Sequence, residues 1–101
     1  MKVYRQGDVV IKQQKVAVNE EKKDLILAEG EMTGHAHRVI EGQVKMYYTA
    51  MQGMLAIKVL SEMARIGHEE HADIILPMGD YTVEIQREYD WVSESIRRVA
   101  D

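Results

Sequence analysis

Apolar positions along this chain recur with a period of two far more often than with the 3.6 of a helix. Val44, Met46 and Tyr48 alternate with Lys45, Tyr47 and Thr49, as in a strand with one buried face. Leu55, Ile57 and Val59 share a face over residues 54–60, and Tyr81, Val83 and Ile85 alternate with Thr82, Glu84 and Gln86. Shorter apolar runs fit further strands: Val9-Val10-Ile11, Leu25-Ile26-Leu27-Ala28, Arg38-Val39-Ile40 and Ile74-Ile75-Leu76. Turn-forming residues punctuate them. Gln6-Gly7-Asp8 joins Val3-Tyr4 to Val9, Glu41-Gly42-Gln43 reads as a hairpin turn, and Met51-Gln52-Gly53 and Pro77-Met78-Gly79-Asp80 read as turns. Residues 12–23 are polar, with 19–24 expected as an exposed loop. Residues 61–66 fit a strand or a short helical turn, the strand being preferred, and 67–71 a tight connection. After Trp91, residues 93–99 fit a short helix or an extended tail. Eight or so short strands with little helix predict an all-β fold, a small single-domain β-barrel or sandwich of jelly-roll-like type over residues 1–101.

Composition narrows the function classes. A chain of 101 residues builds one core and can bury more surface by pairing with a second copy, so a homodimer fits. The net charge of -4 gives no footprint for a nucleic-acid backbone. No apolar run is long enough to span a bilayer, and the N-terminus lacks the apolar run of a signal peptide. The expectation is a cytoplasmic protein with neither nucleic acid nor membrane as partner. There are no cysteines, so any metal site must use nitrogen and oxygen ligands.

The four histidines fall in two tight clusters, Gly34-His35-Ala36-His37 and Gly67-His68-Glu69-Glu70-His71. On an extended segment His35 and His37 point to one face, where both can reach one metal, and Gly34 leaves room beside them. Neutral imidazole ligates zinc, iron, nickel or copper. His68 and His71 are three apart, opposed on a strand but free to turn inward from a tight connection. Glu69 and Glu70 offer oxygens, although solvation is the plainer expectation for both. The arrangement is not the zinc-protease motif, which places histidines four apart on a helix with a glutamate after the first. The sequence also contains no phosphate-cradling glycine loop and no serine nucleophile elbow. Gln86-Arg87-Glu88-Tyr89-Asp90-Trp91 combines charge with aromatics. An outer strand face is the preferred reading there, ahead of a partner-binding rim built on Arg87.

Two resemblances rest on these residues. His35-Ala36-His37 followed by Glu41, and later Pro77-Met78-Gly79, is similar to the motif pair of the cupin superfamily. That likeness implies a small β-barrel with a metal site and adds Glu41 to the candidate ligands. It departs from the family where a metal histidine should follow the Pro-x-Gly, a position occupied here by Thr82. The chain also resembles, over nearly its whole length, a group of small uncharacterised bacterial and phage-type proteins. They share Gln6-Gly7-Asp8-Val9, the Gly-His-x-His, the His-Glu-Glu-His, a Leu-Pro-x-Gly-x-Tyr-x-Val from Leu76 to Val83, and Gln86-Arg87-Glu88-Tyr89. This second likeness supports the fold and implies no reaction.

The expected function is therefore binding of one divalent metal (zinc, iron, nickel or manganese) through His35, His37 and His71, with His68 or Glu41 as a fourth ligand. An incomplete shell leaves a position for water or a small-molecule ligand. No catalytic base stands apart from the ligands, so whether the protein is an enzyme stays open. The competing expectation is a non-enzymatic interaction or structural module that forms a homo-oligomer.

Overall fold

A computed structural model describes residues 2–29 and 34–86. The expected C-terminal helix and the rim from Arg87 to Trp91 lie outside the described residues. The eight strands are β1 (Val3–Gln6), β2 (Val9–Gln13), β3 (Glu21–Lys22), β4 (Ile26–Glu29), β5 (Ala36–Glu41), β6 (Val44–Tyr48), β7 (Met54–His68) and β8 (His71–Ile85). There is no helix among the described residues, and so none long and apolar enough to cross a membrane. All pairings are antiparallel, in the order β1-β2-β8-β7-β5-β4, with β6 on β7 and β3 on β6. The single sheet curls into a half-barrel.

The curl comes from the two 15-residue strands β7 and β8. Val59 pairs with Gly79 and Met63 with Pro77, so Leu60, Ser61 and Glu62 of β7 stand opposite Met78 alone. Such an excess on one strand bends the ladder and raises its twist. The neighbouring strand breaks at the same level. β5 and β6 do not pair with each other; both run against β7, β5 on Arg65–Gly67 and β6 on Leu55–Val59. Gly42 lies between them at φ 99°, and the Gln43 carbonyl accepts the Leu60 amide at 2.8 Å.

Two expected turns are thereby corrected. Glu41-Gly42-Gln43 is a kink in one interrupted strand, not a hairpin. Pro77-Met78-Gly79-Asp80 is the bent middle of β8, not its end. Pro77 is tolerated there because β2 pairs β8 only along Tyr81–Ile85, so beside Pro77 no second ladder asks for its missing N–H. Within the expected loop at 19–24, Glu21 and Lys22 pair with Tyr47 and Met46. The 61–66 segment is strand, as preferred.

Beyond the bend, the far half of the β7–β8 hairpin folds back over the near half. The core forms between them: Val9, Ile11, Ile57 and Tyr81 from one side meet Ala64, Ile66, Ile74 and Leu76 from the other. The Tyr81 hydroxyl reaches the Pro77 carbonyl at 2.6 Å. The fold-back also carries the tip of the β7–β8 hairpin to the β1–β2 turn and to the start of β5.

Candidate metal centre

Three chain segments meet at that end. Gln6 pairs with Val9, leaving Gly7-Asp8 as a two-residue turn with Gly7 at φ 61°. His68 pairs with His71, leaving Glu69-Glu70 as the tip of the long hairpin. The third segment enters β5 through Gly34, at φ 86°. Among the described residues, apart from its chain neighbours, nothing lies within 4 Å of a Cβ built on Gly34, so what the glycine supplies there is its backbone conformation. Gly7 is where space is scarce: a Cβ there would stand 2.7 Å from His71 Nε2.

The hairpin tip explains how histidines three apart come to share a face. They are directly opposed cross-strand partners, not successive residues of one strand. All four imidazoles gather, and His68 is their hub. Its ring centroid is 4.3 Å from that of His37, 4.7 Å from His71 and 5.8 Å from His35, and the His37 and His71 rings stack at 6.0 Å. One ligand atom each from His35, His68 and Glu69 lie within 4.8 Å of one another. Across a tetrahedral zinc with bonds of about 2.0–2.1 Å, neighbouring ligand atoms are about 3.3 Å apart.

Electrostatics distinguish the members. His37 is buried, and its Nδ1 lies 2.8 Å from Gln6 Oε1. Burial, reinforced by the neighbouring His68, pushes its pKa down to about 4, so it stays neutral near pH 7. Asp8 Oδ1 stands 4.0 Å from His37 Nε2. The Glu69 carboxylate accepts the Ala36 amide at 3.1 Å and the Arg38 guanidinium at 3.0 Å. The Ala36 amide foremost, with Arg38, holds its pKa down to about 2. Glu69 is therefore ionised and clips the hairpin tip to β5. His68 Nδ1 accepts the Glu70 amide at 3.0 Å, and a Glu70 oxygen stands 3.6 Å from His35 Nδ1.

The predicted ligands are thus brought together except for one. Glu41 lies further along β5, exposed, and accepts a hydrogen bond from Arg65 at 2.9 Å. Thr82 is buried, and its hydroxyl accepts a hydrogen bond from Gln14 Nε2 at 2.7 Å. Sequence reasoning passed over Gln6 and Asp8 and gave Glu69 only a minor place. Gln6 and Asp8 belonged to a motif read as a turn and as a mark of family likeness, with no part in the site. Glu69 was set aside as solvated because nothing in the sequence places Ala36 and Arg38 beside it.

Fold and site together define a small all-β protein with a histidine–carboxylate cluster of metal-ligating type where three turns meet. Residues 5–86 match the family described as Domain of unknown function (DUF8820), and the chain belongs to it. The matched span includes Gln6, all four histidines and Glu69. No curated protein and no solved structure matches the chain.

Proposed function

We propose that this protein binds one divalent metal ion at the histidine cluster. His35, His68 and Glu69 hold the ion, and His37 and His71, packed against His68, are the candidates for the remaining positions. The convergence of the first three ligand atoms carries this reading. Two features support it: a neutral His37 and an ionised Glu69. Zinc suits a mixed nitrogen and oxygen set of low coordination number, and iron, nickel and manganese accept the same donors. A bound ion would replace the Glu70 amide as partner of the His68 Nδ1 lone pair. A shell of three or four protein ligands leaves a position for water or a small molecule bearing a carbonyl or carboxylate, which the ion would polarise.

Elemental analysis of protein purified without a histidine tag tests the reading. Close to one ion per chain is expected, lost in His68→Ala and His35→Ala and kept in Glu41→Gln. Sub-stoichiometric metal that is the same in all four proteins would overturn it. A second reading, a homo-oligomeric module, draws on a different place. Exposed Tyr48, Met51 and Ile85 border a groove of about 390 Å³ with Leu27, Met54 and Leu55. That reading predicts a mass in light scattering that rises with concentration and is indifferent to chelator.

A further inference from the structure

Gln6 is the buried polar side chain at the cluster that no ligand role explains. It ends β1 with 2% of its surface exposed. Its amide nitrogen donates to the Ile66 carbonyl at 3.2 Å and to the Ala72 carbonyl at 2.8 Å. These carbonyls flank a second bulge of the β7–β8 hairpin, where Gly67 alone faces Ala72 and Asp73. The regular ladder lapses there, and the amide hydrogens of Gln6 fill the gap.

This pairing decides which way the amide faces. With its nitrogen committed to two carbonyls, the atom 2.8 Å from His37 Nδ1 is the oxygen, which can only accept. His37 Nδ1 must then carry the ring proton, and in the neutral ring Nε2 holds the lone pair. The neighbouring ring is set the other way. His68 Nδ1 accepts the Glu70 amide, so its proton sits on Nε2. Two imidazoles whose centroids are 4.3 Å apart are held in opposite tautomers by the Gln6 side chain and the Glu70 amide.

We propose that Gln6 is the positioning residue of the metal centre: it locks His37 as the Nδ1–H tautomer and presents Nε2, on the side of Asp8, as that residue's ligating atom. The lock stands on hydrogen bonding alone, and the ligand role of Nε2 rests on the proposed metal site. A metal-bound histidine commonly donates its other ring N–H to a fixed oxygen, and loss of such a partner costs about 10–100-fold in metal affinity.

The test is long-range proton–nitrogen correlation of the imidazole rings in ¹⁵N-labelled, chelator-stripped protein near pH 7, followed by zinc addition. In the wild type, His37 is expected with a protonated Nδ1 and a bare Nε2, and zinc should move Nε2 while Nδ1 keeps its proton. Gln6→Met should release the tautomer and weaken zinc binding by about 10–100-fold. Gln6→Glu keeps an acceptor for Nδ1 but loses the donors to Ile66 and Ala72, so it should keep the proton on Nδ1 while lowering the melting temperature. A merely structural Gln6 would lower the melting temperature of both variants and leave the His37 tautomer where it was. Wild-type His37 protonated at Nε2 overturns the proposal outright, and that observation needs no variant to fold. A correct tautomer that zinc leaves unmoved overturns the ligand assignment of His37 alone. Zinc binding that spares His37 but moves His35 and His68 leaves the metal reading intact.

Discussion

His37 is the one fully buried imidazole of the four. An imidazole in an unfolded chain titrates near pH 6.5, whereas burial holds this one down to about 4. Between those values the unfolded chain binds a proton that the native state refuses, so acidification favours unfolding. The stabilisation from keeping His37 neutral is complete above about pH 6.5 and drains away as pH falls towards 4. For the metal-free protein we predict that, from pH 7 to 5, this one group removes about 2 kcal/mol of stability. Urea melts in chelator should show the loss in the wild type, and His37→Gln should show a shallower dependence on pH. Equal slopes in the two proteins would contradict the assignment.

At the scale of elements, the bend across β5–β6, β7 and β8 determines where everything else goes. Gly42 sits on that line. A Cβ there would fall 2.5 Å from the Met63 carbonyl oxygen and 2.8 Å from Ala64 Cα, at a backbone φ of 99°. Both neighbours are backbone of β7 and cannot swing aside. Gly42→Ala should therefore cost about 3 kcal/mol or more. Gly53→Ala meets open space at φ 83° and should cost only about 1–2 kcal/mol, the penalty of the left-handed conformation. Denaturant melts of the two variants check the contrast, and equal losses would mean that the close approach at Gly42 does not matter. The strands themselves were legible in the alternation of Val44 to Tyr48 and of Tyr81 to Ile85. The bend was not. Glycine and proline at Glu41-Gly42 and Pro77-Met78-Gly79 carry the local chemistry of chain reversal, and only the partner strand's three unpaired residues turn that chemistry into a kink. Local turn propensity here is overridden by the register of β7 on β8.

For the whole molecule, folding the hairpin back on itself does two things at once. It closes the core, and it delivers the tip at Glu69-Glu70 to the β1–β2 turn. The histidine clusters, 31 residues apart between His37 and His68, meet through that fold-back and not through neighbouring sequence. The sequence made the four histidines visible and suggested their convergence. It placed His68 last among them, because His71 directly precedes the apolar run at Ile74 and three-residue spacing on a strand would point His68 away from it. A two-residue turn places them opposite each other instead, and His68 becomes the centre. Glu41 looked like a ligand because of its spacing from His37; Arg65, its neighbour across the sheet, takes it away from the site. Gln6 was invisible as a contributor, since a glutamine before a glycine turn carries no sign that it will be buried against a bulge 60 residues on.

The central claim is a single metal site whose hub is His68. Native mass spectrometry of the chelator-stripped, tag-free chain, after addition of two equivalents of zinc, measures it most directly. The expected spectrum shows one zinc ion per chain in the wild type and none retained in His68→Ala. A wild-type chain that retains no zinc, or a His68→Ala chain that retains as much as the wild type, would contradict the account.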